Sequence, residues 1–338
     1  MPQRLRVDLA DVAAWDNVEA ALWAAARGKR SRPDVAAVLA HGANSLAPIV
    51  AALAQGRMPV GQFRRFAIRD PKPRIIHAAP FADRVAHHAL MRRIEARLEQ
   101  ALVPSSYACR PGRGVHAALL HARACASRWP WYLKLDVEHY FPNVPHDALF
   151  ELLARRVKGT VLRLIAHLLD CHHARPGYGL PIGALTSQHF ANQYLGEADR
   201  HALVQRACLA HLRYMDDIVL WCASRADARL LHGSMRAFCG DVLRLPLKPA
   251  CIGRSADGLS LCGMRVYPGT IRLGLRRRRS WRRQYAYWQD LWRQGQVSEA
   301  QLQRAQQSLV AITLPAASRG WRSAQLARYA AFETEDAP

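Results

Sequence analysis

Apolar residues recur at helical spacing over much of the chain, and charged residues fill the positions between them. Val18, Leu22 and Trp23 illustrate this spacing near the N-terminus, and such a repeat is typical of amphipathic helices. We predict helices over residues 11–56, 83–102, 145–169, 184–203 and 225–243, and a basic helical segment from residue 276 onward. Residues 271–338 hold twelve arginines against five acids.

Short β-prone runs interrupt these helices. In residues 63–76, apolar and polar residues alternate on either side of a turn at 70–73, and this pattern predicts a basic hairpin. Residues 131–137 predict a strand that ends in a carboxylate. Two further hairpins are predicted, one from residues 211–221 with two acids at its tip and one from residues 259–273. In the latter, 259–266 form one strand, and 270–273 form the other, beyond a turn at Pro268 and Gly269. This order of elements predicts an α+β fold built on an antiparallel sheet.

The composition of the chain says more about its binding partner than about its fold. Half of the 338 residues are hydrophobic and 22% are charged, which supports a real core and argues against global disorder. The formal net charge is +22, with a pI near 10.6. Such a charge favours a polyanionic partner, because each neutralised phosphate releases a counterion. The alternative is that abundant Arg and Ala reflect genomic base composition alone.

The chain offers no sign of membrane insertion or of a disulfide framework. No stretch approaches the roughly 18 apolar residues of a membrane span, and residues 1–9 lack the hydrophobic region of a signal peptide. The eight cysteines are scattered without a C-x-x-C pair, so we expect a reducing, cytoplasmic compartment. Residues 171–173 (Cys-His-His) lack metal-site spacing and are interpreted as a helix end, with metal binding as the alternative.

Three carboxylates stand out because of where the predicted strands end. Asp136 closes one strand, and Asp216 and Asp217 occupy a hairpin tip 80 residues later. Carboxylates without His or Cys partners favour hard cations, so Mg²⁺ rather than Zn²⁺. Two such ions about 3.5–4 Å apart can align attacking and leaving oxygens for phosphoryl transfer. The alternative is an ordinary solvated turn pair, which the apolar runs on both sides of the acids weaken.

Five segments, in order along the chain, are similar to the motifs of reverse transcriptases. They are residues 107–118 (YACRPGRGVHAA), 133–141 (LKLDVEHYF), 180–192 (LPIGALTSQHFAN), 214–217 (YMDD) and 259–266 (LSLCGMRV). The YMDD segment is identical to the Y-x-D-D box of that family, and residues 133–141 resemble its D-x-x-x-[FY]-[FY] motif. Residues 259–266 resemble the primer-grip F-L-G motif, with Cys262 in place of the middle Leu.

The resemblance implies a right-hand polymerase that makes DNA on an RNA template. We expect residues 1–130 to form N-terminal helices and fingers, 131–275 the palm with part of the fingers at 145–180, and 276–338 a helical thumb. The implied partners are template RNA, the RNA/cDNA duplex and dNTPs. The implied cofactor is a pair of Mg²⁺ ions, for which Mn²⁺ can substitute.

One departure resembles a narrower group, the reverse transcriptases of diversity-generating retroelements. Most members of the family carry Q-G-x-x-x-S-P in the segment at 180–192, whereas Ile182 to Gln188 follow I-G-x-x-x-S-Q, the signature of that group. Residues 70–76 and 79–90 are similar to that group as well. The resemblance implies a bacterial or phage enzyme that misinserts opposite adenines of a template-repeat RNA, diversifies a target gene and works with a small basic accessory protein.

The resemblance also implies a role for individual residues. Asp136, Asp216 and Asp217 are the expected metal ligands, with the Val137 carbonyl as a backbone ligand, and Lys248 is a candidate general acid towards pyrophosphate. The expected nucleotide site comprises Lys72, Arg74, Arg69, Phe141, Ile182 and Gln188. The expected contacts to nucleic-acid phosphates are Arg110, Arg113, Arg276, Arg277, Arg282 and Arg283.

Each of these assignments has a plainer alternative. Lys72 and Arg74 would clamp a triphosphate, or belong to a solvated basic turn. Phe141 would exclude a ribose 2′-hydroxyl, or pack in the core. Trp281 and the aromatic residues that follow it at spacings of three to four would pack a helical bundle or stack on bases; packing is favoured.

Ile182 carries the physical argument for low fidelity. In the family a glutamine at this position lies against the incoming nucleotide and its templating base, and an isoleucine has no amide for that contact. Losing about 1–3 kcal/mol of discrimination costs roughly tenfold to 200-fold in selectivity. The alternatives are that Ile182 only packs its loop, that the enzyme is a faithful retron-like or group II-like polymerase, or that the chain is a non-catalytic RNA-binding scaffold.

Overall fold

The computed structural model describes residues 3–69 and 73–335, with side chains through residue 327. Its strands are β1 (Leu5–Arg6), β2 (Arg64–Arg69), β3 (Pro73–Ala78), β4 (Trp131–Asp136), β5 (Val157–Lys158), β6 (Ala210–Tyr214), β7 (Asp217–Cys222), β8 (Cys251–Arg254), β9 (Leu259–Leu261), β10 (Met264–Tyr267) and β11 (Thr270–Leu273). The predicted basic hairpin is confirmed as β2 and β3, and its tip at residues 70–72 lies outside the described part of the chain.

Helices make up most of the remaining chain. They are α1 (Leu9–Ala13), α2 (Trp15–Ala26), α3 (Pro33–His41), α4 (Ala43–Ala54), α5 (Phe81–Gln100), α6 (Val115–Arg128), α7 (Tyr140–Asn143), α8 (His146–Ala154), α9 (Val161–Asp170), α10 (Leu185–Leu203), α11 (Arg225–Ala237), α12 (Leu275–Arg293), α13 (Glu299–Thr313) and α14 (Arg319–Glu335). The segment predicted as helical over 11–56 is divided among α1 to α4. Gly28 and Gly42 stand at two of the breaks with positive φ, a conformation open to glycine.

A four-stranded antiparallel sheet in the order β6-β7-β4-β8 organises the fold. Strand β7 is buried almost throughout because both faces of the sheet are covered, which explains its continuous apolar run. Ile218, Leu220 and Cys222 face the main core, which α1 to α5 and α8 to α11 also line. Val219 and Trp221 face a second core, formed with α6 and the three-stranded sheet β9-β10-β11. The α+β class is therefore confirmed.

The predicted strand over residues 259–266 was wrong in detail. The chain turns back at Cys262 and Gly263, whose φ values are +48° and +76°, and so forms β9 and β10 as an antiparallel pair. Two successive residues with positive φ suit a tight hairpin whose twist matches its strands. The predicted helix over 225–243 ends as α11 at Ala237 and continues as a π-helical turn at Phe238–Val242. Helix α6 and strand β8 had not been predicted.

Among the described residues, no single helix is long and apolar enough to cross a membrane. One pair passes that test jointly by length and composition, namely α3 with α4, and the two helices are bent by 96° at the break between them.

Candidate active site

The three aspartates meet at one end of the central sheet. Asp136 ends β4 and is the register partner of Asp217, which begins β7. Asp216 lies in the two-residue turn that joins β6 to β7. The other turn residue, Met215, has a φ of +56°, which a residue with a side chain rarely adopts. Sheet order thus brings together acids that are 80 residues apart in the chain.

Two lysines hold two of these acids. The Lys134 ammonium lies 2.7 Å from Asp217 Oδ1 and donates to the Ser260 carbonyl at 3.1 Å. The Lys248 ammonium lies 2.7 Å from Asp136 Oδ1, and the Lys248 backbone N–H donates to the Asp136 carbonyl. Lys248, the candidate general acid, therefore lies beside Asp136. Lys134 was missed, although its position two residues before Asp136 puts both side chains on one face of β4.

The surroundings of Asp216 disfavour a negative charge on its carboxyl group. Burial raises the pKa of its carboxyl group, and the charge of Asp136 raises it further. Both effects oppose a lone negative charge, so a cation shared with Asp136 would stabilise the ionised form. The donors are all carboxylate oxygens, which suits a hard divalent cation. Within residues 3–69 and 73–327, no group of three His, Cys, Asp or Glu side chains is already arranged to hold a metal ion.

The cleft beside the acids has basic walls from three parts of the chain. A cavity of about 740 Å³ is lined by Asp217 and Lys134, by Arg74 on β3, and by Arg276 and Arg277 on α12. Arg74 and Asp217 therefore line the same cavity. Lys72 lies outside the described residues. Arg69 closes the register of the same hairpin opposite Pro73, and its side chain is exposed.

Ile182 lies against the base of this hairpin. Its carbonyl accepts a hydrogen bond from the His77 backbone N–H at 2.8 Å. The next residue, Gly183, has a φ of +115°, and an added Cβ would stand 3.2 Å from Ile76 Cγ2. The side chains of Ile182 and Gln188 are both half-buried. The segment from Ile182 to Gln188, which departs from the family pattern, is thus hydrogen-bonded to β3, the strand that contains Arg74.

Phe141 is half-buried and packs against the main core. Its backbone carbonyl accepts a hydrogen bond from Leu180 at 2.9 Å, at the start of the segment that contains Ile182. Val137, the residue after Asp136, is fully buried and pairs with Leu247 across an isolated bridge. These contacts connect the residues around Asp136 with the segments expected to surround the nucleotide.

Arg110 does not suit the expected phosphate contact, and that assignment was wrong. Its guanidinium side chain is only 5% exposed and lies 2.6 Å from Glu99. It also donates to the carbonyls of Val103 and Ser106, so its donors are used within the protein. Arg113 is exposed, and its guanidinium donates to the Pro104 carbonyl.

The basic helix α12 presents arginines on one side and packs aromatic rings on another. Arg277 donates to the Cys262 carbonyl, Arg282 donates to Gln325, and Arg283 is exposed. Trp281 is 3% exposed, stacks on Tyr285 and donates its indole N–H to Leu309. These two rings pack, as was favoured, whereas Trp288 and Trp292 are more exposed.

Comparison with known proteins identifies the family. Residues 69–250, more than half of the chain, match the family model "Reverse transcriptase (RNA-dependent DNA polymerase)". This chain belongs to the reverse transcriptase family. The match spans the acids, both lysines beside them and the segment around Ile182.

Individual relatives are distant. The chain is 28% identical over 124 residues to an uncharacterized 91 kDa protein in a cob intron of Schizosaccharomyces pombe, which covers 35% of this chain and 15% of that protein. It is 25% identical over 244 residues to protein YkfC of Escherichia coli, covering 57% of this chain and 62% of that protein. The chain therefore spans less than two thirds of the length of either relative. Apo telomerase from Candida tropicalis aligns over 62% of this chain and 48% of its own, with 11% identity and a TM-score of 0.46.

Proposed function

We propose that this protein is an RNA-dependent DNA polymerase whose reaction takes place at Asp136, Asp216 and Asp217. The observation that carries the proposal is the meeting of these acids at the edge of a basic cleft. We assign the central sheet to a palm, the hairpin of β2 and β3 to fingers, and the C-terminal helices to a thumb. In this arrangement the RNA/cDNA duplex lies between thumb and palm.

The acids would hold two Mg²⁺ ions, for which Mn²⁺ can substitute, with the Val137 carbonyl as an additional oxygen ligand. Bound there, the ions lower the pKa of the primer 3′-hydroxyl and neutralise the departing pyrophosphate. The protein itself supplies position and charge. Lys248, whose ammonium lies 2.7 Å from Asp136 Oδ1, would donate a proton to the leaving pyrophosphate.

The nucleotide would bind under the β2–β3 hairpin. Arg74 suits bidentate contact with its phosphates, and Arg69 at the end of β2 would add charge. We keep Lys72, which lies outside the described residues, as a further candidate for this contact. Phe141 would exclude a ribose 2′-hydroxyl and so favour dNTPs. Arg276, Arg277, Arg282 and Arg283 on α12, together with Arg113, would neutralise phosphates of template and primer, which predicts a steep dependence of binding on salt.

We further propose that the enzyme is the error-prone polymerase of a diversity-generating retroelement. Ile182 supports this proposal because its aliphatic side chain cannot donate or accept the hydrogen bonds of a glutamine amide. The Ile182 carbonyl accepts a hydrogen bond from His77 on β3, so Ile182 lies beside the strand that also bears Arg74. A template-repeat RNA and a small basic accessory protein are the proposed partners.

The cDNA error spectrum tests the proposal. The protein, with its accessory protein and native template RNA, copies an RNA of mixed sequence, and the product is sequenced. We expect errors concentrated at template adenines. Ile182→Gln should lower the adenine error rate by roughly tenfold to 200-fold, whereas the control Ile182→Val, which adds no amide, should leave it unchanged.

Other outcomes select the alternatives. Uniformly low error at adenines would contradict the retroelement role, and equal errors at all four template bases would favour a retron-like or group II-like polymerase. Asp216→Asn removes a proposed metal ligand and should abolish synthesis. If that variant keeps full biological activity, the polymerase proposal fails and an RNA-binding scaffold is favoured.

A further inference from the structure

Directly before the Tyr214–Asp217 segment lies an arginine that is completely buried. Arg213 is 0% exposed, and its Nε lies 2.8 Å from both carboxylate oxygens of Asp199 on α10. Asp199 is equally buried and also contacts His211 at 3.0 Å. The carboxyl group of Asp199 has a lowered pKa: burial opposes its ionisation, and the charge of Arg213 together with the hydrogen bonds from Arg213 and His211 outweighs burial.

The remaining donors of this arginine hold backbone and amide groups. Its Nη1 donates to the Met215 carbonyl at 3.1 Å and to Asn192 Oδ1 at 2.8 Å, and its Nη2 donates to the Asn192 carbonyl at 3.2 Å. The Asn192 amide donates in turn to the Ala108 carbonyl at 2.8 Å. A single side chain thus joins the turn between β6 and β7 to α10, and through Asn192 to the segment before α6.

The stability of the Arg213–Asp199 ion pair gives a weak reason for its presence. Removing two charges from water is costly, and replacing a buried ion pair with apolar residues of similar size is often neutral or stabilising. The neighbouring backbone is already tied down, since the Arg213 N–H donates to Ser105 and its carbonyl accepts from Tyr107. An apolar side chain could not supply the hydrogen bonds to Asn192 and to Met215, and of these acceptors Met215 adjoins Asp216.

That hydrogen bond acts on a turn under local strain. Met215 has a φ of +56° and immediately precedes Asp216. Its carbonyl belongs to the peptide unit that leads into Asp216, so the direction of this carbonyl limits where the carboxylate can point. A turn without this hydrogen bond can relax towards a more ordinary backbone conformation and swing Asp216 away from Asp136.

We propose that Arg213 is a positioning residue: it holds the Met215 carbonyl and so keeps Asp216 aligned with Asp136 for nucleotidyl transfer. Asp199 and Asn192 hold the guanidinium in place. This inference rests on the proposed polymerase function, because alignment is measured through DNA synthesis at these acids.

The test uses the full chain extending a DNA primer on a synthetic RNA template with dNTPs and Mg²⁺. The double variant Arg213→Met/Asp199→Leu removes both charges and retains volume. We expect the variant to fold with a lower thermal midpoint, because Asn192 and His211 lose buried hydrogen-bond partners. Its KM for dNTP should stay close to that of the wild type while kcat falls about 100-fold, a loss that a misplacement of about 1 Å can cause. A double variant with wild-type kcat would overturn the inference.

Two further variants separate position from folding. Arg213→Lys keeps the pairing with Asp199 but cannot reach all the acceptors of the planar fork, so kcat should fall in a folded protein even if the double variant does not fold. Arg110→Lys is the matched control, since Arg110 is buried beside Glu99 and should affect stability without lowering kcat. If Arg213→Lys keeps wild-type kcat, the inference also fails. A wild-type protein that makes no DNA even with the accessory protein and native template RNA would instead refute the polymerase proposal itself.

Discussion

Replacing Lys134 by Met should make the site bind Mg²⁺ more readily. The Lys134 ammonium occupies Asp217 Oδ1 at 2.7 Å, so a divalent cation that uses this oxygen must displace it and overcome its charge. Methionine keeps the unbranched, apolar stem and removes the charge. The Ser260 carbonyl also loses the hydrogen bond from Lys134, but it is exposed and can accept one from water instead.

The magnitude follows from the geometry and exposure of the pair. A hydrogen bond to a charged group contributes about 1.5–3 kcal/mol. The two side chains are 22% and 27% exposed, and solvent screening reduces such a pair towards the lower end of that range. About 1.5 kcal/mol corresponds to roughly tenfold in binding, so the half-saturating Mg²⁺ concentration should fall about tenfold.

Primer extension at saturating dNTP, measured over a range of free Mg²⁺, gives this concentration directly. Lys134→Arg keeps the positive charge and should behave like the wild type. Lys29→Met removes an exposed lysine remote in sequence from the acids and controls for the change in net charge. An unchanged or higher Mg²⁺ requirement in Lys134→Met would refute the idea that the lysine and the metal compete for Asp217.

Two further predictions concern stability. Burial lowers the pKa of His87 to about 4, so the unfolded chain takes up a proton that the folded chain refuses as pH falls below 6.5. In urea unfolding, the free energy of unfolding should therefore fall by about 2 kcal/mol between pH 6.5 and 5 because of this group. The variant His87→Gln should not show this fall. Trp281→Ala should lower the free energy of unfolding of the C-terminal helices by about 3–5 kcal/mol. Hydrogen exchange should become faster in α12 and α13 while the central sheet stays protected. The control Trp281→Phe should lose far less stability.

Elements formed by neighbouring residues could be predicted from the sequence. The hairpin of β6 and β7 was expected because two apolar runs flank a short polar turn, and the structure has the strands there. The hairpin of β2 and β3 followed from the same reasoning. Helix α6 was not predicted because small alanine side chains, together with histidines and arginines, weaken its apolar stripe.

Elements whose ends depend on partners were predicted less well. Residues 259–266 form a continuous β-prone run, and only the left-handed backbone at Cys262 shows that the chain reverses there. Arg110 carried the sequence signal of a phosphate-binding residue, yet Glu99 on α5 neutralises it within the protein. Charge along the chain does not reveal which arginines are paired, because the acid that pairs with an arginine can lie on another element.

The sequence by itself determined the chemistry of this protein: the identity of the three acids, the excess of positive charge and the isoleucine at position 182 are properties of residue types and their order. Tertiary structure alone decided how these residues meet. The antiparallel order of β6, β7 and β4 sets Asp136 opposite Asp217, and burial together with Asp136 raises the pKa of Asp216. Lys134 and Arg213 gained their partners in the same way, since burial, charge pairing and register are relations between distant segments that exist only once the sheet has formed.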